Sequence, residues 1–140
     1  RLLVHPAQPG RAYQQSHHGL YVTDDGGRHW QEVTDGLPSD FGYALATDPR
    51  HADVIYCVPE ESSQFRATVD GRGLPQENVF VTVLRDGLAA DGLDPLGLYL
   101  GTSSGHLFAS RDAGDSWQRI AGYLPGILSI RAVAVDDGAS

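Results

Sequence analysis

A chain of 140 residues is long enough for one domain with a real core. Its 41% hydrophobic and 20% charged residues form an ordinary globular balance, which excludes wholesale disorder. The net charge is −8, Lys is absent and the Arg are scattered, so no basic stripe for nucleic acid is present, and no apolar run approaches the ~18 residues of a membrane span.

Cys57 is the one cysteine, so an internal disulfide is excluded. It lies in the apolar run Val54 to Val58 and reads as a core thiol. Arg1 to Pro6 is too short and too soon interrupted for a signal peptide, and with the single Cys this points to the cytoplasm. The chain contains no Met, so Arg1 is not expected to be a native start. The 17 Gly and 8 Pro are spread along the chain, which suits short strands and tight turns.

The first unit reads as strands over Arg11–Gln14, Gly19–Val22 and Trp30–Val33. Between the last two stands the octapeptide Thr23-Asp24-Asp25-Gly26-Gly27-Arg28-His29-Trp30, and Leu37-Pro38 closes the unit. A second unit starts with Ala44–Pro49 and Val54–Val58. Its counterpart of the octapeptide is Thr68-Val69-Asp70, which no Trp follows. Its Gly-Leu-Pro begins 5 residues after Thr68, against 13 after Thr23, so the middle unit is degenerate or shortened. The third unit runs through Val81–Asp86, Gly97–Gly101, His106–Ala109 and Trp117–Ile120. It carries the octapeptide again as Ser110-Arg111-Asp112-Ala113-Gly114-Asp115-Ser116-Trp117, and Leu124-Pro125 closes it. Ala132–Asp137 reads as the first strand of a further unit. The boundaries are therefore 1–38, 39–75, 76–125 and 126–140. No segment keeps a helical period.

The two octapeptides start 87 residues apart, twice a period near the ~40–45 residues of a four-stranded propeller blade. Their chemistry is that of a hairpin turn. Asp25 and Asp112 can accept backbone N–H groups, with Thr23 and Ser110 doing so more weakly. Gly27 and Gly114 supply positive φ. Trp30 and Trp117 open the next strand, with rings available to pack between units. A Ca²⁺ reading of Asp24-Asp25 lacks the further acids such a loop needs, so no metal and no cofactor is expected.

On these residues the sequence resembles the Asp-box, or BNR-repeat, β-propellers, over nearly its whole length. That sialidase-like superfamily includes sialidases, bacterial BNR-repeat glycosyl hydrolases, xyloglucan-cleaving enzymes, sortilin-type receptors and photosystem II assembly factors. The resemblance implies an all-β propeller segment of about three four-stranded antiparallel blades from a ring of six to eight. Such a piece is expected to self-associate through its outer faces. The fold leaves the activity open, because Asp boxes recur across unrelated functions.

With the octapeptide joining third and fourth strands, the turns between second and third strands fall on the opposite rim. In enzymes of this type that rim carries the active site. It holds Gln15, His17 and His18, Glu60 and Glu61, Ser104 and His106, with Asp40, Tyr43 and Arg131 at strand entries. A sialidase needs three Arg on the substrate carboxylate and a Tyr with a Glu partner. Of the ten Arg only Arg131 falls at a rim position, and no Glu can be assigned to Tyr43. A two-carboxylate hydrolase would draw on Asp40 with Glu60 or Glu61. The alternative is a non-enzymatic propeller presenting this rim to a protein or glycan, with neither nucleic acid nor membrane as partner.

Overall fold

Alternating apolar side chains draw the N-terminal segment into a four-stranded antiparallel meander. The computed structural model describes residues 1–33, 37, 42–59 and 83–134. Within it β1 (Leu2–His5), β2 (Gln8–Ser16), β3 (Gly19–Thr23) and β4 (Gln31–Glu32) pair in sequence order. Tyr13 stands opposite Val22 and Gln15 opposite Leu20. Partners in register share a face, so these four side chains form one buried surface.

That surface packs on β5 (Gly42–Thr47), which pairs with β6 (Ile55–Pro59). Strand β5 is buried on both faces. Leu45 joins Tyr13, Leu20 and Val22, whereas Ala44 and Ala46 point the other way and join Val83, Leu88, Leu100 and Phe108. A strand covered on both sides cannot alternate apolar with polar, which accounts for the sequence Ala44-Leu45-Ala46.

The second cluster belongs to another four-stranded antiparallel sheet. It comprises β7 (Leu88–Ala90), β8 (Leu98–Gly101), β9 (Leu107–Ser110) and β10 (Gln118–Ala121), again in sequence order. Strand β5 contacts β1 on one side and β7 on the other, so the leading strands of the three units lie side by side. Among the described residues the chain is all-β, with no helix. This arrangement is consistent with part of a propeller-like fold.

The leading strands depart from the sequence reading. Leu2–His5 forms a full strand where none was expected. In the third unit the leading strand is Leu88–Ala90; of the expected Val81–Asp86, the first two residues lie outside the described residues and 83–86 form no strand. Val83 turns into the core, and the amide of Gly87 bonds the carbonyl of Leu84 at 2.7 Å. That turn bends the chain before the ladder starts. Ala132–Ala134 carry no strand, and Asp86 and Ser129 form an isolated parallel bridge instead. The remainder of the expected last strand, and the whole Thr68–Pro75 segment, lie outside the described residues.

Candidate functional site

The octapeptides close the hairpins β3–β4 and β9–β10, and the two copies use the same contacts. The Thr23 hydroxyl accepts the amide of Gly27 at 3.0 Å and donates to Asp25 Oδ1 at 2.9 Å. Ser110 does the same with Gly114 at 2.8 Å and Asp112 at 2.7 Å. Asp25 Oδ1 also accepts the amides of Arg28 and His29, each at 2.9 Å, and Oδ2 meets His29 Nδ1 at 2.5 Å. Asp112 accepts the Ser116 amide at 2.9 Å together with its hydroxyl.

These donors favour the ionised carboxylates. The amide and ring of His29 hold Asp25 well below the usual carboxylate range. The hydroxyls of Ser116 and Ser110 bring Asp112 down to about 2. Gly27 and Gly114 have φ of 90° and 101°, and each following indole donates back to that glycine's carbonyl, at 3.2 Å from Trp30 and 3.1 Å from Trp117. Trp117 also packs against the Leu88–Leu100–Phe108 cluster. Trp30 folds over Gly27, is 38% exposed, and belongs to neither core cluster among the described residues. The carboxylates are committed to the turn. Among the described residues no group of three or more His, Cys, Asp or Glu is placed to hold a metal.

The opposite ends of the strands gather different chemistry. Arg1 continues the β1–β2 ladder, its carbonyl accepting the amide of Gln15 at 2.9 Å. Its guanidinium donates to the carbonyl of Arg85 at 2.8 Å and pairs with Asp86. The amide of Ile130 bonds the carbonyl of Asp86 at 2.8 Å, which fixes the segment carrying Arg131. Burial, then the positive charges of Arg131 and Arg85, lower the Arg1 pKa. The Arg85 guanidinium lies 5.3 Å from the centroid of the Tyr43 ring, a cation–π contact. Tyr43 shares a hydrogen bond with His17 Nε2, their rings edge to face at 5.3 Å.

Of these three guanidiniums, Arg1 alone pairs with a carboxylate, Asp86. Among the described residues neither Arg85 nor Arg131 has an acidic partner.

The rim residues expected from sequence divide into several groups. His17 and His18 are exposed in the β2–β3 turn, with rings 6.5 Å apart and nearly perpendicular, an arrangement that does not aim both at one ion. Tyr43 and Arg131 join the cluster. Gln15 is on the right strand end but is 1% exposed, and both its amide atoms are buried without a partner. Ser104 bonds Thr102 at 2.9 Å within the β8–β9 turn. His106 stacks edge to face on Phe108 and Tyr123, with Nδ1 buried and unpaired. It stands apart from the arginines, on the third sheet. Asp40, Glu60 and Glu61 lie outside the described residues.

Arg1 and Arg85 were missed. Each stands shortly before a leading strand, Arg1 directly before Leu2 and Arg85 three residues before Leu88. Locating those strands would have exposed both.

Comparison with known proteins finds no matching family model and no matching curated relative.

Proposed function

We propose that this chain is about three blades of an Asp-box β-propeller, whose ring of six to eight blades binds a carboxylate-bearing glycan on the rim opposite the Asp-box turns. Several features support the propeller reading. The octapeptides stand at twice a blade period, and both close hairpins of the same kind. The leading strands lie side by side, as the innermost strands of a ring must. Leu2 and Val4 at one end of the array, and Ile120, Leu128 and Val133 at the other, are more than half exposed. Further blades, or a second copy, would cover such side chains.

The observation that carries the ligand reading is that Arg1 and Arg131 line one groove, with Arg85 adjoining through its carbonyl, which accepts from Arg1. Guanidiniums recognise carboxylates by paired, charge-assisted hydrogen bonds. The sialidase-like enzymes use three arginines to grip a carboxylate, and Arg1 and Arg131 would supply two of them here. A second reading, glycoside hydrolysis, is favoured by Tyr43 beside the cluster, although its partner is His17 where those enzymes use Glu.

The test is calorimetric titration with sialyl- and uronate-terminated oligosaccharides and their neutral counterparts. Acidic ligands should bind at least about tenfold tighter, and Arg85→Ala should remove most of that difference, as loss of a charged hydrogen bond predicts. Equal affinity for acidic and neutral sugars would refute the glycan reading. Release of the terminal sugar acid would distinguish hydrolysis from binding.

A further inference from the structure

Two described residues other than glycine have positive φ. Ala113 belongs to an octapeptide, where it stands in the place of Gly26. Tyr123, with φ of 60°, belongs to neither octapeptide. A left-handed backbone is strained for any residue with a Cβ. The Tyr123 side chain adds little packing against that strain. It is 94% exposed, and its ring meets His106 edge to face at 6.4 Å. Strain of this kind persists where the surroundings enforce it, and it concentrates at ligand sites.

The surroundings of Tyr123 do enforce it. The next amide, of Leu124, bonds the carbonyl of Gly105 at 3.1 Å, and the amide of Ile127 bonds that of Thr102 at 3.0 Å. A Cβ on Gly105 would lie 1.8 Å from the Leu124 carbonyl oxygen, so only glycine lets the connection cross the β8–β9 turn this closely. Thr102 clips that turn, its hydroxyl accepting the His106 amide at 3.0 Å. The tyrosine is therefore displayed on a fixed crossing, at the rim opposite the octapeptides. Its ring and that of His106 lie at 73°, a floor and a wall. Phe108 backs His106 at 6.5 Å.

We infer that Tyr123 and His106 form a site for a neutral sugar ring, which stacks on the phenol and sends its hydroxyls to the exposed Ser103 and Ser104. A pyranose has an apolar C–H face and a hydroxyl edge. The tyrosine ring suits the first, and the serine hydroxyls suit the second. Ser103, Ser104, Pro125 and Gly126 are all exposed, so the neighbourhood is open and polar. A protein partner would instead favour a closed apolar pocket around its anchor. The inference rests on reading this rim as a glycan surface, but it does not use the arginines.

The test is NMR titration of the whole chain with methyl β-galactoside, lactose and sorbitol. Both sugars should shift the ring signals of Tyr123 and His106, and saturation of the tyrosine ring should pass to sugar C–H protons. Sorbitol carries hydroxyls without a ring face and should bind about two- to tenfold more weakly. Tyr123→Gly should weaken the sugars by about the same factor, while raising the urea midpoint by about 0.2–1 M as the strain is relieved. A purely structural tyrosine would not move the two readouts in opposite directions. Tyr123→Phe keeps the ring and should stay within about twofold of the native affinity.

Equal binding of the sugars and sorbitol would overturn the inference. So would a Tyr123→Gly chain that binds the sugars as tightly, or one that unfolds at lower urea. Absence of sugar binding would overturn it as well, and would leave the ring to a protein partner. Sialyl-lactose binding that Arg85→Ala weakens and Tyr123→Gly does not would sink this site and leave the acidic-glycan reading standing. Neutral sugar binding lost in Tyr123→Gly, with no preference for acidic ligands, would do the reverse.

Discussion

Replacing Thr23 by Val keeps the shape of a buried side chain and deletes one hydroxyl. Thr23 is 2% exposed, and its hydroxyl makes two well-formed hydrogen bonds, to the Gly27 amide at 3.0 Å and to the Asp25 carboxylate at 2.9 Å. A third, from the Asp25 amide, is long at 3.3 Å and adds little. The neutral bond is worth about 1 kcal/mol and the bond to a charged acceptor about 1.5–3 kcal/mol. The added methyl of Val recovers part of this, since it enters a mainly apolar layer. The net loss should be about 2–3 kcal/mol, a large fraction of the ~5–15 kcal/mol that holds a domain together. Urea unfolding followed by tryptophan fluorescence measures it, because Trp30 sits on the same turn. With a slope of about 1–3 kcal/mol per M, the midpoint should fall by about 0.7–3 M with the slope unchanged. A loss below about 0.5 kcal/mol would show that the hydroxyl is dispensable, and the structural account of the octapeptide would then be wrong.

Two further outcomes follow from the same turns. Ala113 occupies the position that Gly26 holds in the first copy, with φ of 56° against 72°. A left-handed conformation is strained for alanine, so Ala113→Gly should stabilise the chain by about 0.5–1 kcal/mol in the same unfolding assay, and a destabilisation would contradict the assigned turn geometry. The carboxylates give a pH signature. Asp25 and Asp112 are depressed in the folded state, Asp112 to about 2, so the stability they contribute is complete above their unfolded value near 4 and is lost as pH falls towards 2. Urea midpoints between pH 6 and pH 2.5 should drop more for the native chain than for the Asp25→Asn/Asp112→Asn double variant, and parallel curves would exclude the turns as the source.

The turns were legible because their chemistry is local. A hydroxyl, an acid, a glycine and an indole within eight residues contain nearly every partner they use. The strands flanking them, Gly19–Thr23 and Leu107–Ser110, were legible for the same reason, being short β-rich runs fixed against a recognisable turn. The leading strands were harder. Val83-Leu84 outranks Leu88-Ala89-Ala90 in β propensity, yet the ladder forms at the latter, after the tight turn in which the Gly87 amide bonds the carbonyl of Leu84. Gln15 was read as a rim residue because the second strand was expected to end at Gln14. Its place two residues from Tyr13 on the same strand puts it on the buried face, and periodicity could have shown this. The arginines at the groove were beyond reach. Arg1 and Arg131 are far apart in the chain, and only the side-by-side packing of the leading strands brings them to one groove.

The two four-stranded sheets are alike enough to be mistaken for one another during folding, since each offers the same hairpin and the same turn. Their first connections differ, however. Strands β1 and β2 are joined through Pro6 and Ala7 alone, whereas β7 and β8 are separated by a loop over 91–97. That loop is tied by Asp91, which accepts the amides of Leu93 and Gly97, each at 2.9 Å, and the Tyr99 hydroxyl at 3.1 Å. Arg11 marks the other sheet, reaching Asp24 at 2.6 Å and Asp53 at 2.9 Å. Each hairpin therefore carries its own address, set in the connection and its polar ties and not in the repeated motif. A hairpin that docks on the wrong neighbour forfeits those contacts, which discourages exchange of strands between units or between chains.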